Sequence, residues 1–432
     1  MPDRSLPPSP AKLERILFPQ VRIAHLSNGI PVYLLPFGTQ EILELSALFP
    51  AGKSFETAAS VASFTAKMIQ EGTLHRNSLE FARAVDRFGA FIHVDSGYEA
   101  ASVGLTSLAK HIPSTVPLWA EMIMEPAFPS EELEKLRERT MQHLDVEEQK
   151  TSYVARREFN KLLFGAHHPY GSSSEKPDIA DIRQEQLQEF HARYFHPLNA
   201  TVVATGRFDE RQLLQSLEST IGQARQGDPG QRVSLAGAQQ AWDAPAPANG
   251  LHSFAKPEAM QATVRVGHLA FARSHPDYYP MQVVNTIFGG YFGSRLMNNI
   301  REEKGYTYGI SSAWLAMKYD GLFVIQADVS NAYTHDTLSE IRKEMSLLIE
   351  RGVTPEELDL VRNYTLGKSA SGRETPSQLQ GLIQNALVND FDFTEMDRRF
   401  DVVMALTPGD IQRLAGQYLR PDDLLEVVCG KI

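Results

Sequence analysis

The chain has 432 residues of ordinary globular composition, enough for two or three domains that each bury a core. Its formal net charge of −11 argues against a nucleic-acid partner, which calls for a basic patch. A single cysteine, Cys429, excludes an internal disulfide, and neither an apolar leader nor a run of 18 apolar residues is present, so the expectation is a cytoplasmic protein without membrane contact.

In chain order, Ala58–Glu71 predicts a helix with Val61, Phe64 and Met68 on one face. RFGAFIHVDSGYEAASVGLTSL (87–108) reads as a glycine-started hairpin with alternating apolar positions. FPSEELEKLR (128–137) opens a long helix, with Ser130 as the expected cap ahead of its glutamates. Gln226–Gly250 is rich in Gly, Pro, Ala and Gln and has no period, which marks a linker.

Beyond the linker the patterns return. Thr286–Glu303 predicts a helix interrupted by Gly289, Gly290 and Gly293. Gly305–Ile310 begins a strand, with Tyr306, Tyr308 and Ile310 expected on one face and Thr307 and Gly309 on the other. Tyr319-Asp320-Gly321 predicts the turn to its partner, and 303–329 as a whole resembles 87–108. VTPEELDLVR (353–362) then repeats FPSEELEKLR, with Thr354 as the cap. Cys429 ends the apolar run Leu425–Cys429 and reads as a buried strand residue, not a nucleophile. The expected fold is α+β, with two homologous domains (1–225 and 251–432, joined by 226–250), each an antiparallel-rich sheet packed with helices.

A helical zinc site needs two ligands three or four residues apart plus a third. His191 and His196 are five apart and face different ways, and the adjacent His167 and His168 cannot converge without a turn. His143 and Glu147 are i,i+4 neighbours able to share a metal, but they equally read as a pair on an exposed charged helix. No serine-nucleophile elbow, phosphate loop or dinucleotide fingerprint appears. Gly289, Gly290 and Gly293 lack the Lys-Ser/Thr that would hold a phosphate, leaving a flexible loop beside a peptide groove or a plain helix break. By themselves, Arg301 reads as a helix C-terminal cation and Tyr308 as a half-buried strand residue.

The segment FGGYFGSRLMNNIREEKGYTYGIS (288–311) carries glycines, then S-R-L, then R-E-x-x-G-x-x-Y. Together with LSNGIPVYLLP (26–36), KLLFGAHHPYG (161–171) and TPGDIQRLAGQYLRPDDLLEVVCG (407–430), it resembles the pitrilysin/insulinase-type metallopeptidase family over nearly the whole chain. The resemblance implies the family's clamshell arrangement and its inverted zinc motif H-x-x-E-H. The matching stretch, SVASFTAKMIQEGT (60–73), keeps the trailing E-G-T but places Ser63 and Lys67 where the histidines belong and Ala66 where the glutamate belongs. Serine is a poor zinc ligand, alanine is no base, and a lysine ammonium repels a dication. The third ligand would fall near Gln142 or His143, with Glu147 not far off.

The resemblance further implies that Arg301 and Tyr308, seven apart, bind substrate by donating to a peptide carbonyl or its oxyanion. The chain resembles the Arg/Tyr-bearing partner of heterodimeric bacterial members and the alpha subunit of the mitochondrial processing peptidase. It is therefore expected to hold no metal and no catalytic residue of its own, and to position peptides for a zinc-motif-bearing homologous subunit or within a self-dimer. The alternatives are a structural or peptide-binding homologue without a peptidase role, and an independent metallopeptidase with atypical ligands.

Overall fold

The computed structural model describes residues 15, 17–225, 233–235, 242 and 248–431. Six strands build the first sheet: β1 (Arg22–His25), β2 (Pro31–Pro36), β3 (Ile42–Phe49), β4 (Phe91–Ser96), β5 (Ala101–Leu108) and β6 (Thr201–Gly206), in the order β1-β2-β6-β3-β5-β4. Five build the second: β7 (Gly250–Ala255), β8 (Gln261–Ala270), β9 (Thr307–Ala316), β10 (Gly321–Ser330) and β11 (Leu425–Gly430), in the order β7-β11-β8-β10-β9. Only β2 with β6 and β7 with β11 pair parallel; every other pairing is antiparallel. From β2 onward the first sheet therefore repeats the second, strand for strand and sense for sense. This is the two-domain α+β architecture that the sequence predicts. The expected linker, 226–250, lies outside the described residues except for 233–235, 242 and 248–250.

Alternation along each strand decides which helices it meets. In β6, Val202 and Ala204 face the first domain's own core, whereas Val203 faces the other way. There it joins Leu35 and Leu48 against Leu379 and Ile383 of the helix Pro376–Val388, which comes from the second half of the chain. The converse holds in the second sheet. Val428 of β11 enters that domain's own core, while Leu425, Val427 and Cys429 meet Val154, Phe159 and Leu163 of the helix Thr151–Phe164 from the first half. Each domain thus lends one helix to the other's sheet. Polar ties follow the same exchange: Thr263 Oγ1 donates to Thr151 Oγ1 at 2.9 Å, and Thr205 Oγ1 to the Pro376 carbonyl at 2.9 Å.

Three local expectations change. The first-domain helix spans Val61–Met68, shorter than predicted, because Ser60 adopts a left-handed conformation (φ 70°) and starts it late. Thr354 does cap its helix, accepting from the Glu357 N–H at 3.2 Å, but Ser130 lies inside the first turn of Ser130–Gln149 with Pro129 at the cap position. The interrupted helix begins earlier, at Tyr278, and proceeds through two wide π-helical stretches, Thr286–Gly290 and Met297–Glu303.

Candidate functional site

The helix Val61–Met68 carries Ser63, Ala66 and Lys67. Its N-terminus is held by Glu56, whose carboxylate accepts from the Ala62 N–H at 2.9 Å. Ser63 Oγ donates back to the Ser60 carbonyl at 3.0 Å. Ala66 is buried in the first core, so nothing polar projects from the position matching the family's base. Lys67 is exposed, with its ammonium 6.0 Å from the centre of the Phe64 ring. Desolvation, and then the nearby Arg139 guanidinium, lower its pKa. Two cations thus come together where the resemblance puts a metal, an arrangement that repels a dication.

The remaining metal candidates do not converge. His143, on the helix Ser130–Gln149, is 73% exposed and lies 3.9 Å from the Glu147 carboxylate, which also pairs with Lys150. His168 is buried and accepts from the Tyr170 N–H at 3.1 Å, while its neighbour His167 is exposed. His191 bonds the Ile123 carbonyl at 2.8 Å, and burial pushes it down to about 4, so it is neutral at pH 7. Among the described residues, no group of three or more His, Cys, Asp or Glu side chains is placed to hold a metal ion. As placed, these donors do not make up a zinc ligand set.

Lys53, Glu56, Ser60, Ser63 and Tyr98 instead line a cleft of about 270 Å³ at the start of that helix. Lys53 Nζ donates to the Ser172 carbonyl at 2.5 Å, and burial lowers its pKa. Burial likewise pushes the Glu56 carboxyl up to about 7. Sequence reading missed this pair; the one available signal was a carboxylate a turn or so ahead of a helix start.

The second domain positions Arg301 and Tyr308. The π-helical stretch Met297–Glu303 closes with the Lys304 N–H on the Asn299 carbonyl at 3.0 Å, and Gly305 then turns the chain with φ +66° into β9. Arg301 Nε donates to the Tyr308 carbonyl at 2.9 Å, so the two residues are tied directly. The guanidinium also pairs with Glu302 and stacks 4.7 Å from the Phe292 ring centre. Between β9 and β10 the register slips, with Ala327 opposite Ile310 and Val329 opposite Thr307. The extra residue is a β-bulge, which re-aims the side chain it carries. Thr307 and Ile310 point inward while Tyr308 is 91% exposed. Tyr308 and Ile310 therefore do not share a face as predicted, and Tyr308 is not a half-buried strand residue.

Gly289 and Gly290 lie on the first π-helical turn, not in an open loop; Gly293 sits in an exposed turn beyond it. A Cβ at Gly289 would stand 2.5 Å from Ser312 Oγ and 2.8 Å from the Ser312 nitrogen, so only glycine lets this turn lie against β9. The Ser63/Lys67 helix and the Arg301/Tyr308 pair belong to different domains of the chain.

Comparison with known proteins matches residues 43–178 to the model described as insulinase (peptidase family M16) and residues 181–364 to the peptidase M16 inactive domain. Among curated relatives, an uncharacterized zinc protease of Streptomyces coelicolor is 21% identical over 84% of this chain and 78% of its own length. The non-peptidase homolog YmxG of Helicobacter pylori is 24% identical over 80% and 78%. Among solved structures, the peptidase M16 inactive domain from Pseudomonas fluorescens superposes with a TM-score of 0.86 at 22% identity, covering 95% of this chain and 98% of that one. The periplasmic protease PqqL from Escherichia coli gives 0.75 at 14% identity, with this chain matching 48% of it. No helix among the described residues is long and apolar enough to cross a membrane.

Proposed function

The chain belongs to the M16 insulinase peptidase family as a peptidase-like member of its inactive type, and from that membership we propose that it is a non-catalytic, substrate-positioning subunit of a zinc-dependent endopeptidase. Its partner is a homologous chain with an intact zinc motif, or a second copy of itself, and its substrates are peptides. The reading divides the chain at 226–250 and assumes a cytoplasmic setting, in keeping with its one cysteine.

The observation that carries this reading is the outward Tyr308 side chain, on a residue whose backbone carbonyl Arg301 holds. A bulge, a wide helical turn and a backbone bond at 2.9 Å all serve to fix this pair on the surface. Bulges and π-helical turns concentrate at functional sites. A phenol and a guanidinium donate to a peptide carbonyl and more strongly to the oxyanion that water attack creates, so they lower the barrier at a partner's metal without binding metal themselves.

The test uses the chain purified together with its partner, measuring peptide turnover and assembly side by side. Arg301→Ala and Tyr308→Phe are each expected to lower turnover about 100-fold or more while leaving the complex intact. Unchanged turnover in both variants defeats the assignment. A second reading, a peptide-binding or structural homologue without a peptidase role, draws support from the name non-peptidase homolog borne by the Helicobacter pylori relative. It is the reading that remains if a captured partner lacks H-x-x-E-H. Independent metallopeptidase activity finds no third ligand beside His143 and Glu147 among the described residues.

A further inference from the structure

A cavity away from both motif positions lies in the second half of the chain. It measures about 430 Å³, within the range of small-molecule sites, and is walled by the edge of β9 and four helices: Tyr278–Asn285, Pro355–Ser371, Pro376–Val388 and Glu395–Ala405. In a chain of net charge −11, four cations line it, Arg273, Lys368, Arg373 and Arg399, against two acids, Asp392 and Glu395. Both acids are engaged: Asp392 accepts from the Thr394 N–H at 3.0 Å and Glu395 pairs with Arg398 at 3.0 Å.

The arginines differ in how they are matched within the chain. Arg373 is 9% exposed and has Asp397 at 3.7 Å and the Met396 carbonyl at 2.9 Å. Among the described residues, Arg273 and Arg399 have no carboxylate at ion-pair distance, and the Nε of each is buried without an acceptor. Arg273 stacks 3.7 Å above the Tyr278 ring. Burial lowers the pKa of all three guanidiniums, and Arg399 lowers it further in the other two. Buried charges are normally paired, and a guanidinium cannot shed its proton to escape the cost. Three guanidiniums lining one hollow suit an oxyanion, which accepts charge-assisted hydrogen bonds from such forks.

We propose that this cavity binds a small organic anion, whose phosphate or carboxylate head pairs with Arg273, Arg373 and Arg399 and whose body packs on Tyr279, Tyr364 and Phe391. Nothing in the peptide-positioning role requires such a ligand, so the site stands independently of that role.

The experiment is calorimetric titration of the full chain with inorganic pyrophosphate and, separately, citrate, at ionic strength held constant with sodium chloride. At least one probe is expected to bind at one site per chain, and Arg399→Gln to weaken it about tenfold or more. Stronger binding of pyrophosphate assigns the phosphate class, and of citrate the carboxylate class. If Arg399→Gln fails to fold, Lys368→Ala on the exposed rim replaces it, with a smaller weakening expected. Absence of binding by both probes up to about 10 mM, or binding unchanged in the variant used, overturns the proposal.

Discussion

Tyr308 shows how one residue can reverse the face of a strand. Simple alternation puts it with Ile310, and only the register slip opposite Ala327 and Val329 turns it outward. A bulge is set by cross-strand pairing between residues some twenty positions apart, which a local pattern cannot display. The Arg301 spacing was legible; the geometry that gives it a use was not. Glu56 makes a similar point through its ionisation. Its carboxyl is raised to about 7 by burial, against the opposing Ala62 N–H and Lys53. In the unfolded chain a glutamate titrates lower, so between about 4.5 and 7 the folded state binds the extra proton. Stability from this group is therefore full below the unfolded pKa and is lost as pH rises through 7, on the order of 3 kcal/mol. Urea unfolding of Glu56→Gln from pH 4.5 to 8 is expected to lack that decline. An unchanged pH profile would show that Glu56 is not its source.

At the scale of elements, the exchanged helices carry the most weight. Phe159 is fully buried where Thr151–Phe164 crosses the second sheet, with the Arg265 guanidinium 5.3 Å from its ring centre. Phe159→Ala is expected to cost about 3–5 kcal/mol in urea unfolding. Since the helix belongs to one half and its contacts to the other, both sheets should report the loss in a single transition. Two separated transitions, with only one shifted, would sink this account. The amphipathic face of the helix is visible in the sequence, but the sheet it covers is not. Ala155, Phe159 and Leu163 recur at i, i+4 and i+8, which states that a face is buried and is silent about whose strands bury it. The wide turns at Thr286–Gly290 and Met297–Glu303 escaped for a related reason, because their glycines and apolar residues fit an ordinary helix equally well.

For the whole molecule, the repeat was the most legible property. FPSEELEKLR and VTPEELDLVR mark equivalent helices, and the sheets they flank share strand order and pairing sense from β2 and β7 onward. The arginine cavity was illegible, since Arg273, Arg373 and Arg399 are scattered along the chain and meet only through the packing of helices. The substituted motif makes a global prediction of composition. After dialysis against micromolar zinc, elemental analysis of the purified chain is expected to find far less than one zinc per chain; a value near one, tightly held, would mean that ligands other than Ser63, Ala66 and Lys67 assemble a site.

The lending of helices also dictates the order of events on the ribosome. Thr151–Phe164 emerges long before β11, the strand at Leu425–Gly430 that its apolar face must cover. At ordinary synthesis rates that interval is roughly 10–50 s, during which Phe159 and its neighbours have no partner. Until then the first half of this protein exposes an apolar face of the kind that invites misassembly, and it is the arrival of β11 that covers it.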